Sequence, residues 1–145
     1  MENLQNIVLA IVLTALVAYL LGSVNSSILI TRIFGQKTDI RQMGSGNAGA
    51  TNVLRSVGRL PAALTFIFDF LKCVLAVLAG RAIFSYFFQI PAISPMVIEQ
   101  TGAYIAGIVC ILGHIFPLYF GFRGGKGVTT SIAMIMIIDW RVSLI

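Results

Sequence analysis

The chain has 145 residues, enough for one domain, and it is 58% hydrophobic with 10% charged side chains and a mean hydropathy of +0.96. A soluble globule is about one quarter charged, so this composition excludes an ordinary soluble enzyme and indicates a protein of the bilayer. The net charge of +5 is confined to segments between apolar runs, where it sets membrane orientation and does not form a nucleic-acid surface.

Residues 3–31 carry no charge, residues 60–80 carry only Asp69 and Lys72, and residues 100–122 carry none apart from the titratable His114. Each run reaches the roughly 20 residues that cross a bilayer core. The N-terminus lacks a basic leader region and a small-residue cleavage site, so its apolar run reads as a span and not a cleavable signal. The first span is placed at residues 7–30. Its first half, IVLAIVLTALVAYLL, is plain lipid-facing helix, and its second half, GSVNSSILI, is small and polar. Gly22, Ser23, Ser26 and Ser27 suit close helix packing. The rival reading has Asn25 or Ser26 lining a polar cavity.

Residues 31–59 form a first loop with Arg32, Lys37, Arg41, Arg55 and Arg59 against the single acid Asp39. The positive-inside rule makes this loop cytoplasmic and puts the N-terminus outside. Pro61 is expected to open a second span, running to about Phe84. Asp69 and Lys72 lie inside it at i, i+3 and share a face. They read as a structural ion pair or, alternatively, as organisers of a polar site. Residues 85–96 read as an outer turn broken by Pro91 and Pro95, with Tyr86, Phe87 and Phe88 in the interface belt.

A third span is placed at 97–118, with Gly102, Ala103, Ala106 and Gly107 as a small-residue packing face. Cys73 and Cys110 sit alone in apolar runs and read as packing residues. Residues 127–138 are apolar but cover only about half a bilayer at ~1.5 Å per residue, which predicts a short or re-entrant helix. The fold class is therefore an all-α integral membrane protein: a multi-pass helical bundle, one membrane domain over 1–145, with two Gly-rich cytoplasmic loops.

The first of those loops holds Gly44–Arg55, GSGNAGATNVLR, and the second is GHIFPLYFGFRGGKG, residues 113–127. Glycine lets backbone N–H groups turn toward a ligand, and short polar side chains beside Arg or Lys suit an anion with several oxygens, phosphate above all. Flexible linkers would not need such cations beside the glycines twice on one face. Gly44, Gly46 and Gly49 match G-x-G-x-x-G, but no buried strand precedes them, so a dinucleotide site is rejected. Gly127 after Lys126 likewise excludes a P-loop, which needs Ser or Thr there. No His, Cys or carboxylate cluster suggests a metal. The lone His114 reads as a structural hydrogen-bond partner or as a proton acceptor.

Together, SGNAGATNVLR (45–55) and GHIFPLYFGFRGGKGVTT (113–130) closely resemble the first and second signature motifs of the bacterial acyl-phosphate-dependent glycerol-3-phosphate acyltransferases. YLLGS near 19–23, GSVNSSILITR and Asp69-x-x-Lys72 add to the likeness, which runs from Leu4 to Ile145. Two features depart from the family: Cys73 stands where Gly usually follows the span lysine, and a third motif with His and Asn near the C-terminus is missing. The chain thus reads as truncated.

The resemblance implies a bacterial inner-membrane enzyme of phospholipid synthesis. It would transfer a fatty acyl group from acyl phosphate to the 1-hydroxyl of glycerol 3-phosphate, giving lysophosphatidic acid and phosphate. It implies no cofactor and no metal. Its partners are the two substrates and membrane lipid, with no nucleic acid.

Arg55 and Lys126 are expected to hold phosphate oxygens with help from Arg123. Ser45 and the N–H groups around Gly46, Gly49, Gly124 and Gly125 are expected to complete an anion nest, and Gly127 is expected among the phosphate-binding residues. Asn47, Thr51 and Asn52 would shape the loop or bind glycerol hydroxyls. The proton acceptor is His114 or a substrate phosphate. Competing readings are an organophosphate transporter and an inactive membrane subunit.

Overall fold

The computed structural model describes residues 2–88 and 93–142. They form six helices: α1 (Glu2–Ser23), α2 (Ser26–Ile33), α3 (Ala50–Ser56), α4 (Arg59–Phe87), α5 (Pro95–Ile115) and α6 (Val128–Ile138). Short 3-10 turns lie at Ile40–Gln42 and Leu118–Phe120. Three stretches are long and apolar enough to cross a membrane: Leu4–Ile33, Arg59–Phe87 and Pro95–Phe120. The molecule is an all-α integral membrane protein.

The expected first span is interrupted. Helix α1 ends at Ser23, and Asn25 starts α2 by accepting a hydrogen bond from the Ile28 amide at 3.2 Å. An Asn side chain competes well for backbone donors, so it ends one helix and caps the next where apolar content alone predicts continuity. Asn25 and Ser26 are not among the residues that line the two loop cavities. The second span starts at Arg59, two residues before Pro61, and reaches Phe87. Pro95 opens α5 at its first turn and does not interrupt it, because its missing N–H is one that a helix start leaves unpaired anyway. Pro91 lies outside the described residues. The apolar stretch after the second loop forms α6, a short helix of 11 residues.

Small side chains build the centre of the bundle. Ala18, Cys73, Ala76, Val77, Ala103, Ala106, Cys110 and Ala133 form one buried cluster from α1, α4, α5 and α6. A Cβ on Gly80 would strike the Gly102 carbonyl and the Ala106 methyl, and one on Gly22 would strike the Cys110 carbonyl, so these helices touch backbone to backbone. Leu9, Leu75, Leu78 and Ile108 point outward and are exposed. Large residues outside and small ones inside is the order a bilayer favours, because lipid is as apolar as leucine and helix association depends on close packing.

Helix α6 packs on α4 and α5. Arg81 of α4 donates to the Ile137 carbonyl at 3.0 Å, pairing an acceptor that the end of the helix leaves open. The second half of α4 thereby fixes the far end of α6 and leaves its N-terminus among the loops.

Candidate functional site

The first Gly-rich loop is held in shape by Asn52, 1% exposed at the start of α3. Its Nδ2 donates to the carbonyls of Ile40, Met43 and Asn47 at 3.0, 2.9 and 3.0 Å, and its Oδ1 accepts from the Ser45 amide at 3.0 Å. An amide has two hydrogens on nitrogen, so one is shared, and the group is spent on the loop. Of the two roles expected for Asn52, the structure supports shaping the loop.

Ser45, Asn47, Gly49, Thr51, Asn52 and Arg55 then line a cavity of about 500 Å³ with His114, Lys126 and Gly127 from the second loop region and Asp69 from α4. These residues are distant in sequence, and the fold brings them to one place. The Arg55 and Lys126 side chains are exposed and make no hydrogen bond or ion pair among the described residues. Gly127, Val128 and Thr129 at the N-terminus of α6 add amides that a helix start leaves without internal partners. The wall formed by Phe66, Val128 and Ile132 is apolar and faces outward, with exposures of 45%, 62% and 42%. The cavity is thus cationic on one side and bounded by an exposed apolar wall on the other. Phe66 and Ile132 lie outside both motifs, and helical spacing alone reads them as lipid-facing span.

Beneath the cavity lies a buried polar cluster. Lys72 Nζ stands 3.0 Å from Asp69 Oδ1, donates to the Val24 carbonyl at 2.7 Å and lies 2.9 Å from His114 Nδ1. The expected Asp69–Lys72 pair is present. His114 is its unexpected third member, and the Val24 carbonyl freed by the break before Asn25 is its fourth. The ammonium thus has two hydrogen-bonding partners, the Val24 carbonyl and His114 Nδ1, and an ion-pair partner in Asp69.

Other expected residues fall elsewhere. Gly46, Arg123 and Gly124 line a second cavity of about 560 Å³, with Asp39, Arg41, Gln42, Phe120 and Gly121. There Arg41 grips Asp39 through Nε at 3.0 Å and Nη2 at 2.8 Å, and its Nη1 donates to the carbonyls of Phe120 at 2.7 Å and Arg123 at 3.1 Å. The guanidinium fork ties the first loop to the second. The Arg41 hydrogen bonds hold the Asp39 carboxyl below the usual aspartate range, against the opposing effect of burial. Sequence reading counted Arg41 only as a loop cation, because its carbonyl partners are 79 and 82 residues away.

The expected anion nest is corrected. The amides of Gly46, Gly49, Gly124 and Gly125 donate to the carbonyls of Met43, Asn47, Ile115 and His114, and the Ser45 amide goes to Asn52. These N–H groups close turns and are not free for a ligand. Gly124 and Gly125 are needed for a different reason: a Cβ on Gly124 would strike the His114 carbonyl, and one on Gly125 would strike His114 Nε2. The two glycines let the second loop fold flat against His114.

The fold is a helical membrane bundle in which two Gly-rich loops meet at one cavity that carries two cations. The family profile described as glycerol-3-phosphate acyltransferase matches residues 12–145. A glycerol-3-phosphate acyltransferase of Thermoanaerobacter pseudethanolicus is 44% identical over 134 residues, 92% of this chain and 60% of the relative. One from Cereibacter sphaeroides is 40% identical over 144 residues, 99% of this chain and 61% of the relative.

Among solved structures, PlsY, an integral membrane glycerol 3-phosphate acyltransferase, superposes in its glycerol 3-phosphate form with a TM-score of 0.73 at 32% identity, covering 92% of this chain and 60% of PlsY. Its lysophosphatidic acid form gives 0.71. The chain belongs to the glycerol-3-phosphate acyltransferase family, and it spans about 60% of the length of the curated relatives it matches.

Proposed function

We propose that the protein transfers a fatty acyl group from acyl phosphate to the 1-hydroxyl of glycerol 3-phosphate, releasing lysophosphatidic acid and phosphate. The observation that carries this reading is the pairing of Arg55 and Lys126, from separate motifs, as unspent cations in one cavity. The solved relative has glycerol 3-phosphate and lysophosphatidic acid forms, which supports the same acceptor and product here.

In this reading Arg55 and Lys126 hold phosphate oxygens, with the first amides of α6 completing the anion contact. Ser45, Asn47 and Thr51 contact the glycerol portion, while Gly49 and Asn52 keep the loop's shape. Arg123 lies in the neighbouring cavity and draws phosphate toward the site through its charge. The acyl chain leaves past Phe66, Val128 and Ile132 into lipid. The glycerol hydroxyl oxygen bonds to the acyl carbonyl carbon as the carbon–oxygen bond to phosphate breaks, and the hydroxyl proton passes to a phosphate oxygen. Because acyl phosphate is already activated, holding the two reactants in line supplies a large part of the acceleration. The protein forms one membrane domain over residues 1–145 in a bacterial cytoplasmic membrane, with the N-terminus outside and both loops in the cytoplasm.

The test is product formation by the purified protein in lipid nanodiscs, supplied with glycerol 3-phosphate and either acyl phosphate or acyl-CoA. Lysophosphatidic acid formed from acyl phosphate alone is the expected result. Flux of glycerol 3-phosphate across proteoliposomes without product would instead establish a transporter.

A further inference from the structure

The buried cluster under the cavity fixes where the proton of His114 sits. Lys72 Nζ is 2.9 Å from His114 Nδ1. Lys72 is an ammonium here, because it also faces the Asp69 carboxylate at 3.0 Å and the Val24 carbonyl at 2.7 Å. An ammonium offers only donors, so Nδ1 must present its lone pair. Were the ring an imidazolium donating from Nδ1 to Asp69, that N–H would point at the ammonium, and the 3.6 Å separation from Asp69 Oδ1 is too long for a hydrogen bond. The one proton of the neutral ring is therefore on Nε2.

His114 is 4% exposed and lines the cavity, and Nε2 makes no hydrogen bond to the described residues. Glycine at position 125 leaves that nitrogen uncovered, since a Cβ there would collide with it. An N–H that opens onto the cavity without a protein acceptor is a donor for an oxygen that enters there.

We propose that His114 is a neutral imidazole that donates its Nε2–H to a ligand oxygen in the cavity, and that Lys72 is the positioning residue that sets this tautomer. The inference rests on the acyl-transfer reading for the identity of that oxygen: a phosphate oxygen, or the acyl carbonyl oxygen as it gains charge. A ring in this state is not the general base, because its lone pair is held by Lys72 on the side away from the ligand.

His114 is the single histidine of the chain, so one imidazole reports the state directly. The protein, purified through a histidine-free tag with ring-labelled 15N-histidine in nanodiscs, is examined by NMR at neutral pH. The expected spectrum has a proton-bearing Nε2 and an unprotonated Nδ1, and added glycerol 3-phosphate or inorganic phosphate moves the Nε2 signal. An imidazolium, an Nδ1–H tautomer or an Nε2 signal indifferent to both anions would overturn the proposal. Lys72→Met should release the ring into a mixture of tautomers.

The tautomer is read without turnover, so failure of the acyl-transfer reading leaves it standing and separately judged. In the activity assay His114→Gln, which keeps an N–H near the Nε2 position and lacks a basic nitrogen, should retain most of the rate. His114→Ala should lose on the order of 100-fold, as removal of one oxyanion donor does. Equal loss in both variants would contradict the donor role.

Discussion

In the cavity of Asp39 the guanidinium of Arg41 is already engaged, by one carboxylate and two carbonyls. In the neighbouring cavity Arg55 and Lys126 engage nothing among the described residues. Both cavities are lined by cations and glycines from the same two loops, and composition does not tell them apart. What separates them is the nearby acid. Asp39 saturates its arginine, so that site holds the loops together. The other site has an acid too, Asp69, but Lys72 occupies it from below. The cations above therefore keep unbalanced charge, which a ligand can satisfy.

The comparison can be broken in four ways, from the largest expected effect to the smallest. Asn52→Ala strips four backbone groups of their partner and should lower stability by about 3 kcal/mol, read as thermal unfolding in detergent, since unpaired buried polar groups cost 1–3 kcal/mol each and water recovers part of that. Lys126→Ala and Arg55→Ala should leave unfolding unchanged while weakening transition-state binding by at least about 2 kcal/mol in the acyl-transfer assay. A stability loss without an activity loss would move either residue into the structural class.

Arg41→Ala should show the opposite pattern, costing about 1–2 kcal/mol of stability and making the first loop easier to cleave with protease. Arg41→Lys should fare no better, because a lysine cannot span Asp39 and two carbonyls at once. The smallest effect concerns pH. The Asp39 carboxyl is held below its ordinary range, so its contribution is present at and above that range and is lost as pH falls through the lowered value. Protease resistance of the first loop should hold from neutral pH to the ordinary aspartate range and drop below it, and Asp39→Asn should abolish that dependence.

Much of this was legible in the chain. The charge-free runs locate α1, α4 and α5, and the length of the 127–138 run foretells the short α6. Local features were misread where a side chain overrides the apolar pattern, as Asn25 does by capping α2 inside a predicted span. Arg55 and Lys126, which the structure brings to one cavity, stand out locally because Arg and Lys beside glycine carry a signal. The glycines themselves were read correctly as special but for the wrong reason, since their amides close turns and their missing Cβ atoms make room for His114. Partners such as Lys72 with His114, or Arg41 with Phe120, lie in different helices and loops and leave no mark on local sequence. Only the packing of α4 against its neighbours, and the resulting meeting of the two loops, brings them together.

Binding of glycerol 3-phosphate to the purified protein in nanodiscs, followed by calorimetry with Lys126→Ala and Arg123→Ala alongside, tests the division between the two cavities most directly. The account predicts saturable binding that inorganic phosphate displaces, that Lys126→Ala abolishes and that Arg123→Ala only weakens. Binding lost with Arg123 and kept without Lys126, or no binding to the folded protein, would contradict it.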